Sequence, residues 1–248
     1  MLVPDEQVTL YRLGFEPGLI DGVDGPFTRA ARAAFLKSIG MSGATRDVLD
    51  RELERARQKL CPFVQAKNFK RARRPHSDPL NVIVIHTMEA HEKPGQALNV
   101  ARWFADQFAP RYPAPMASAH YNVDDKQVVQ SVLECDVAYH APGANRHGIG
   151  IEHTGFASQT SAQWDDEYSR AVLERSAELV AALCVRFSIP MQRIDAADLV
   201  AGGRGICGHI DCTHAFSNGK GHVDPGPSFP WAHYIDRVKA FAGVARVA

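Results

Sequence analysis

Four consecutive β-branched residues, Val82-Ile83-Val84-Ile85, run straight into His86. A continuous apolar run of this length suits a central strand buried on both faces. The rest of the chain must then supply cover on two sides. His86 falls at the strand's end, where a side chain leaves the core and faces a cleft. A lone histidine at such a place is more often structural than a ligand, so its meaning depends on what the chain brings to it.

The partner stretch lies far downstream. Gly208 to Gly226 holds three histidines (His209, His214, His222) and two aspartates (Asp211, Asp224) among glycines. Imidazole and carboxylate are common ligands of zinc. Pro225 biases Asp224 toward extended backbone, and Gly226 permits a sharp turn. An extended segment points His222 and Asp224 to the same side. Cys207 and Cys212 flank His209 and are rival ligands. All eleven histidines lie between His76 and His233, so histidine chemistry belongs to the second part of the chain.

Other segments take simpler patterns. Val3 to about Arg57 predicts a small helical unit, with a helix carrying Val8, Leu10 and Leu13, a loop with two Asp-Gly steps (21–25), a second helix near Thr28–Phe35 and a third over about Arg46–Leu60. Pro62–Pro79, basic and with two prolines, predicts an extended, exposed linker. Helical spacing recurs over Ala97–Phe108, before Pro110, Pro113 and Pro115 forbid regular structure. Ser118–Val123 and Lys126–Val132 predict a hairpin, and Gly148–Thr154 a strand with Gly150, Glu152 and Thr154 on one face. An acid on such a strand needs a partner or a task. Asp165–Arg186 predicts a long amphipathic helix, Ala196–Leu199 a short one and Trp231–Ala242 a last one.

The 248 residues carry zero formal net charge, which gives no case for nucleic acid binding. The basic run Lys67, Lys70, Arg71, Arg73 and Arg74 reads as a solvated linker. No segment has the length and apolarity of a membrane span, and Met1–Leu10 lacks a signal peptide's apolar run. The expectation is synthesis in the cytoplasm, without stable membrane insertion. Five cysteines, odd in number and scattered, argue against a disulfide framework.

Two resemblances follow from ordered motifs. Leu13-Gly14-Phe15, Ile20-Asp21-Gly22, Gly25-Pro26-Phe27-Thr28 and Ala33-Ala34-Phe35 resemble the first half of the small three-helix peptidoglycan-binding domain. That family's second Asp-Gly repeat before the third helix is missing here, and a helical cap or dimerisation unit is the alternative. Ile85-His86-Thr87, Ala117-Ser118-Ala119-His120-Tyr121, Ala138-Tyr139-His140-Ala141, Asn145, Ile149-Gly150-Ile151-Glu152, Gly208-His209-Ile210-Asp211 and Asp224-Pro225-Gly226 resemble the zinc amidase family of phage T7 lysozyme, cytoplasmic muropeptide amidases and peptidoglycan recognition proteins. The resemblance implies an α/β fold, a central mixed β-sheet flanked by helices and preceded by a small three-helix domain. The division it implies is 1–60 peptidoglycan-binding, 61–79 basic linker and 80–248 zinc amidase.

By position, the resemblance implies a Zn2+ site at His86, His209 and Asp224. Glu152 becomes the acid that takes a proton from the attacking water, and His120, His140 and Asn145 line the substrate groove. Many members place a lysine two residues before the last ligand, where this chain has His222. His222 is then the expected oxyanion donor, with activity falling at alkaline pH, and Lys220 is the alternative. A three-histidine site of His86, His209 and His222, with Asp224 behind it, is the rival metal arrangement. His153 and His214 are expected at the surface or behind the ligands. The implied substrate is bacterial peptidoglycan and the implied activity an N-acetylmuramoyl-L-alanine amidase, in a phage-type endolysin released by a holin or in a protein exported by a secretion system. A cytoplasmic amidase of wall turnover, a non-catalytic receptor and a zinc peptidase acting within the stem peptide remain open.

Overall fold

The computed structural model describes residues 1–107 and 116–245. Phe108 and the prolines at 110, 113 and 115 lie outside the described residues. The chain divides into two compact units, Met1–Cys61 and Pro62–Ala248.

The first unit is three helices, α1 (Val3–Arg12), α2 (Pro26–Ser38) and α3 (Arg46–Arg57). Prolines at the start of α1 and α2 suit the first helical turn. Leu10, Ala31, Phe35, Leu36, Leu49 and Leu53 form its core. The Asp-Gly loop is tied down by one buried side chain. Gln7 Nε2 donates to the carbonyls of Leu19 and Val23, and Gln7 Oε1 accepts from the Gly22 amide.

The second unit begins with β1 (Phe69–Lys70), then β2 (Val82–Thr87), α4 (Gln96–Phe104), β3 (Tyr121–Val123), β4 (Val128–Gln130), β5 (Val137–Ala138) and β6 (Gly148–His153). After these come α5 (Ser161–Trp164), α6 (Glu167–Phe187), α7 (Ala196–Val200), β7 (Gly205–Gly208), α8 (His209–Phe216) and α9 (Trp231–Ala245). Five strands form a mixed sheet in the order β4-β3-β6-β2-β7. Strand β2 is internal, between β6 and β7 and parallel to both; β3 is parallel to β6, and β4 closes the sheet antiparallel to β3. Ile83, Ile85, Ile149 and Ile151 are fully buried, and each contributes roughly 1.5–3 kcal/mol by leaving water. Helix α6 packs on β6 and β3, and α9 packs on α6. No helix among the described residues is long and apolar enough to cross a membrane.

Two expectations need correction. The segment read as an exposed linker, 61–79, is in large part built into the second unit. Ala66 and Arg74 are buried, and β1 pairs with β5. Arg74 is sheltered because its guanidinium has acceptors to meet. Nη1 donates to the carbonyls of Asn145, Arg146 and Gly148, and Nη2 to that of Asp136. The third helix stops at Arg57, short of Leu60. Helix α8 over His209–Phe216 is an element that the sequence patterns do not announce. Asp211 takes the amide of Gly208 across its first turn, which stabilises the start of α8.

Candidate metal and catalytic site

The parallel pairing of β2 with β6 sets the site. It places His86 opposite Glu152, so the two side chains leave the sheet side by side near the ends of their strands. Strand β7 runs along the other edge of β2 and passes at Gly208 directly into α8. His209 therefore emerges in the first turn of α8, next to the end of β2. The loop after α8 folds back: the Ile210 amide donates to the Asp224 carbonyl at 2.9 Å. Gly226 secures that return. Its φ is +89°, and a Cβ there would collide with the Ala157 carbonyl.

The result is a convergence of His86, His209 and Asp224. Their ligand atoms all lie within 4.8 Å of one another, and all three residues are buried. His86 Nδ1 is 3.0 Å from Asp224 Oδ2, and His209 Nδ1 is 3.3 Å from Asp224 Oδ1. Burial favours protonation of Asp224, but the bonds and charges of His209 and His86 outweigh it and hold the carboxyl far below its usual range. Burial also lowers His86, against the pull of Asp224.

This donor set fits a zinc ion. Two imidazole nitrogens and one carboxylate match the metal's chemistry, and ligands of a tetrahedral zinc stand roughly 3.3 Å apart. Among the described residues, the ion-pair partners of the Asp224 carboxylate are all histidines. A buried carboxylate without a fixed cation calls for one.

Glu152 is the second acid of the site. Burial raises its carboxyl well above the ordinary range, and the charges of Asp224 and Glu89 add to the shift. Sequence reasoning did not single out Glu89. It follows β2 with a positive φ of 50°. Its carboxylate accepts from Thr87 Oγ1 at 2.7 Å and from the Ala157 amide at 2.8 Å. Glycine or asparagine would have flagged such a backbone, whereas a glutamate gives no sequence signal.

His222 stacks on His209, with ring centroids 4.6 Å apart and planes at 12°. Its Nδ1 is 3.7 Å from Asp224, and its side chain is 72% exposed. The tight group of potential ligands contains Asp224 and not His222. Lys220 is exposed in the same loop. Cys207 and Cys212 are buried and face each other, Sγ to Sγ, at 3.9 Å. Neither joins the group.

The three residues expected along a substrate groove are engaged within the protein to different degrees. His120 is fully enclosed; its Nδ1 accepts the Gly150 amide, and Arg74 lies 2.7 Å from its Nε2. His140 is buried beside His86. Asn145 spends its Oδ1 on the amides of His140 and Ala141, at 2.8 and 2.7 Å. The His120 ring and the Asn145 Oδ1 are thus committed to buried groups of the protein itself. His153, expected at the surface or behind the ligands, is fully buried behind them. Its Nδ1 meets the His86 carbonyl at 3.1 Å and its Nε2 meets Ser176 Oγ at 2.7 Å. Burial lowers it to about 4. His214 is exposed. Asp211, a candidate ligand by composition, is held by Arg193 and the Gly208 amide.

The family model described as N-acetylmuramoyl-L-alanine amidase matches residues 76–227. N-acetylmuramoyl-L-alanine amidase A of Achromobacter lyticus is 29% identical over 175 residues, covering 67% of this chain and 88% of that protein. Two solved structures share the fold. The Staphylococcus aureus hydrolase AmiA in complex with its ligand gives a TM-score of 0.53 at 13% identity, covering 83% of this chain and 94% of that one. A selenomethionine derivative of AmpD gives 0.50 at 22% identity, covering 73% and 93%.

Proposed function

Because the chain belongs to the N-acetylmuramoyl-L-alanine amidase family, we propose that it cuts bacterial peptidoglycan at the amide joining the lactyl group of N-acetylmuramic acid to L-alanine, using zinc. The observation that carries this is the meeting of His86, His209 and Asp224 beside Glu152, an acid paired with His86 across the sheet. A zinc ion held there supplies Lewis acidity that makes water a nucleophile near neutral pH.

The chain's own groups supply the rest. His86 and His209 offer ring nitrogens, and Asp224 offers a carboxylate held well below its usual range. Glu152 takes the proton of the attacking water on a carboxylate oxygen and passes it to the departing L-alanine amine. A carboxyl raised above the ordinary range is suited to both halves of that transfer. Burial is the main cause of the Glu152 shift, and the smaller part that Asp224 adds would be offset if His86, His209 and Asp224 held a cation. His222, stacked and open to solvent, donates an N–H to the developing oxyanion.

We further read the chain as a wall-degrading, endolysin-type enzyme, with the three-helix unit of residues 1–61 binding the polymer and a holin or secretion system giving access to it. The test is digestion of purified sacculi with mass spectrometry of the products. Peptides with a free L-alanine amino terminus, and glycan strands left uncut, are the expected result. A new amino terminus within the stem peptide makes the enzyme a peptidase. Activity on soluble muropeptides with none on sacculi makes it an enzyme of wall turnover.

A further inference from the structure

We infer that His140 is a positioning residue for the metal centre: its Nδ1 engages the far nitrogen of His86 and so commits the near nitrogen to the ion. The inference rests on the zinc reading above. His86 has two ring nitrogens with different neighbours. Nδ1 faces Asp224 at 3.0 Å, inside the cluster. Nε2 faces His140 Nδ1 at 3.1 Å, on the opposite side of the ring. A neutral imidazole carries one proton, and a nitrogen that binds a metal cannot hold it. The proton of a metal-bound His86 must therefore sit on Nε2, where His140 Nδ1 accepts it. Such a partner on the outer nitrogen fixes both the tautomer and the ring plane of a ligand histidine.

Three features hold His140 for this task. The ring lies across β6, where the chain has glycine at 148 and 150. A Cβ at Gly150 would come within 2.5 Å of His140 Cγ, and one at Gly148 within 3.2 Å of His140 Cε1. Asn145 Oδ1 clamps the His140 amide at 2.8 Å. The His86 and His140 rings meet edge to face, with centroids 5.2 Å apart at 86°. Among the described residues, His140 Nε2 has no hydrogen-bond partner, so the contact with His86 is the side chain's polar engagement. Gly148 and Gly150 thus acquire a reason: they leave room for a ring that steadies a ligand one strand away.

The test is zinc affinity, measured by competition with a chromogenic chelator, for the wild type, His140→Leu, His140→Asn and Gly150→Ala. Asparagine places an oxygen near the position of Nδ1 and keeps an acceptor, whereas leucine removes it. Gly150→Ala leaves the imidazole intact and pushes it aside. We expect His140→Leu and Gly150→Ala to bind zinc about 10- to 100-fold more weakly, with His140→Asn recovering most of the loss. Nitrogen-15 spectra of the zinc-loaded wild type should show His86 protonated at Nε2. Melting of the metal-free proteins separates a folding defect from a ligand defect, and His140→Asn keeps the comparison informative if leucine destabilises the chain. Wild-type affinity in a folded His140→Leu protein, or a His86 proton on Nδ1 in the loaded state, overturns the assignment to His140 alone. Failure of the wild type to bind zinc overturns the zinc reading and this inference with it.

Discussion

The histidines at the end of β2 fall into two groups that look alike in sequence and differ in what faces them. His86 and His209 are buried and turn their Nδ1 atoms toward one carboxylate, Asp224. His120, His140 and His153 are equally buried, yet their nitrogens meet backbone amides and carbonyls, a serine, Arg74 or another histidine. Burial is common to both groups and explains the lowered affinity of His86, His120, His140 and His153 for protons. Between the two groups, the first has nitrogens directed at a carboxylate. Capacity to hold a metal is therefore decided by what lies opposite the lone pair, and buried histidines without that feature support structure.

That contrast breaks most readily at Asp224. Asp224→Ala should remove bound zinc and take with it several kcal/mol of transition-state stabilisation, a loss on the order of 10³-fold or more in turnover on sacculi. The fold should remain, since Asp224 contributes its backbone carbonyl to α8 in either case. Next comes Glu152→Gln. It removes the proton carrier and leaves the ligands, so kcat should fall about 10²- to 10⁴-fold with zinc content unchanged.

His153 sharpens the other side of the comparison. Its folded value lies near 4, against an ordinary 6.5. Between those values the unfolded chain takes up a proton that the folded chain refuses, so stability falls as pH drops from about 6.5 toward 4. The shift corresponds to about 3 kcal/mol at most. Denaturant titrations across that range should show the loss, and His153→Phe should lessen it without abolishing zinc binding, the remainder coming from His86, His120 and His140. His222→Ala, at an exposed position, should have the smallest effect, roughly a tenfold fall in kcat as a solvent-accessible counterpart of an oxyanion donor. Lys220→Ala should leave the rate unchanged, and an equal loss in both variants would move the donor role to the loop as a whole.

Much of this site was legible in the sequence because its parts come as fixed local patterns. The run ending in His86 announced a buried central strand, and Glu152 stood out as an acid on an otherwise small, apolar strand. The His209 and Asp224 motifs completed an ordered set. In the helical unit Leu10 and Phe35 follow from apolar spacing, but Ala30, Ala33 and Ala34, which that spacing places beside Phe35, are exposed, and Ala31 and Leu36 pack in their stead. What stayed hidden was set by contacts between distant residues. Nothing in a basic, proline-containing segment tells that Arg74 will find four carbonyls brought together by the chain from Asp136 to Gly148. Nor does the sequence separate a histidine that points into a cleft from one that points under a strand. The resemblance alone places His120, His140 and Asn145 along a groove, and the structure commits Asn145 Oδ1 to the backbone amides of His140 and Ala141.

The central claim is that one divalent ion is held by His86, His209 and Asp224. Elemental analysis of the purified wild type and of Asp224→Ala, each dialysed against the same trace of zinc, tests it most directly. The account predicts close to one zinc per wild-type chain and almost none in the variant. Equal zinc in both proteins, or none in a wild type that still releases L-alanine-terminated peptides from sacculi, would contradict it.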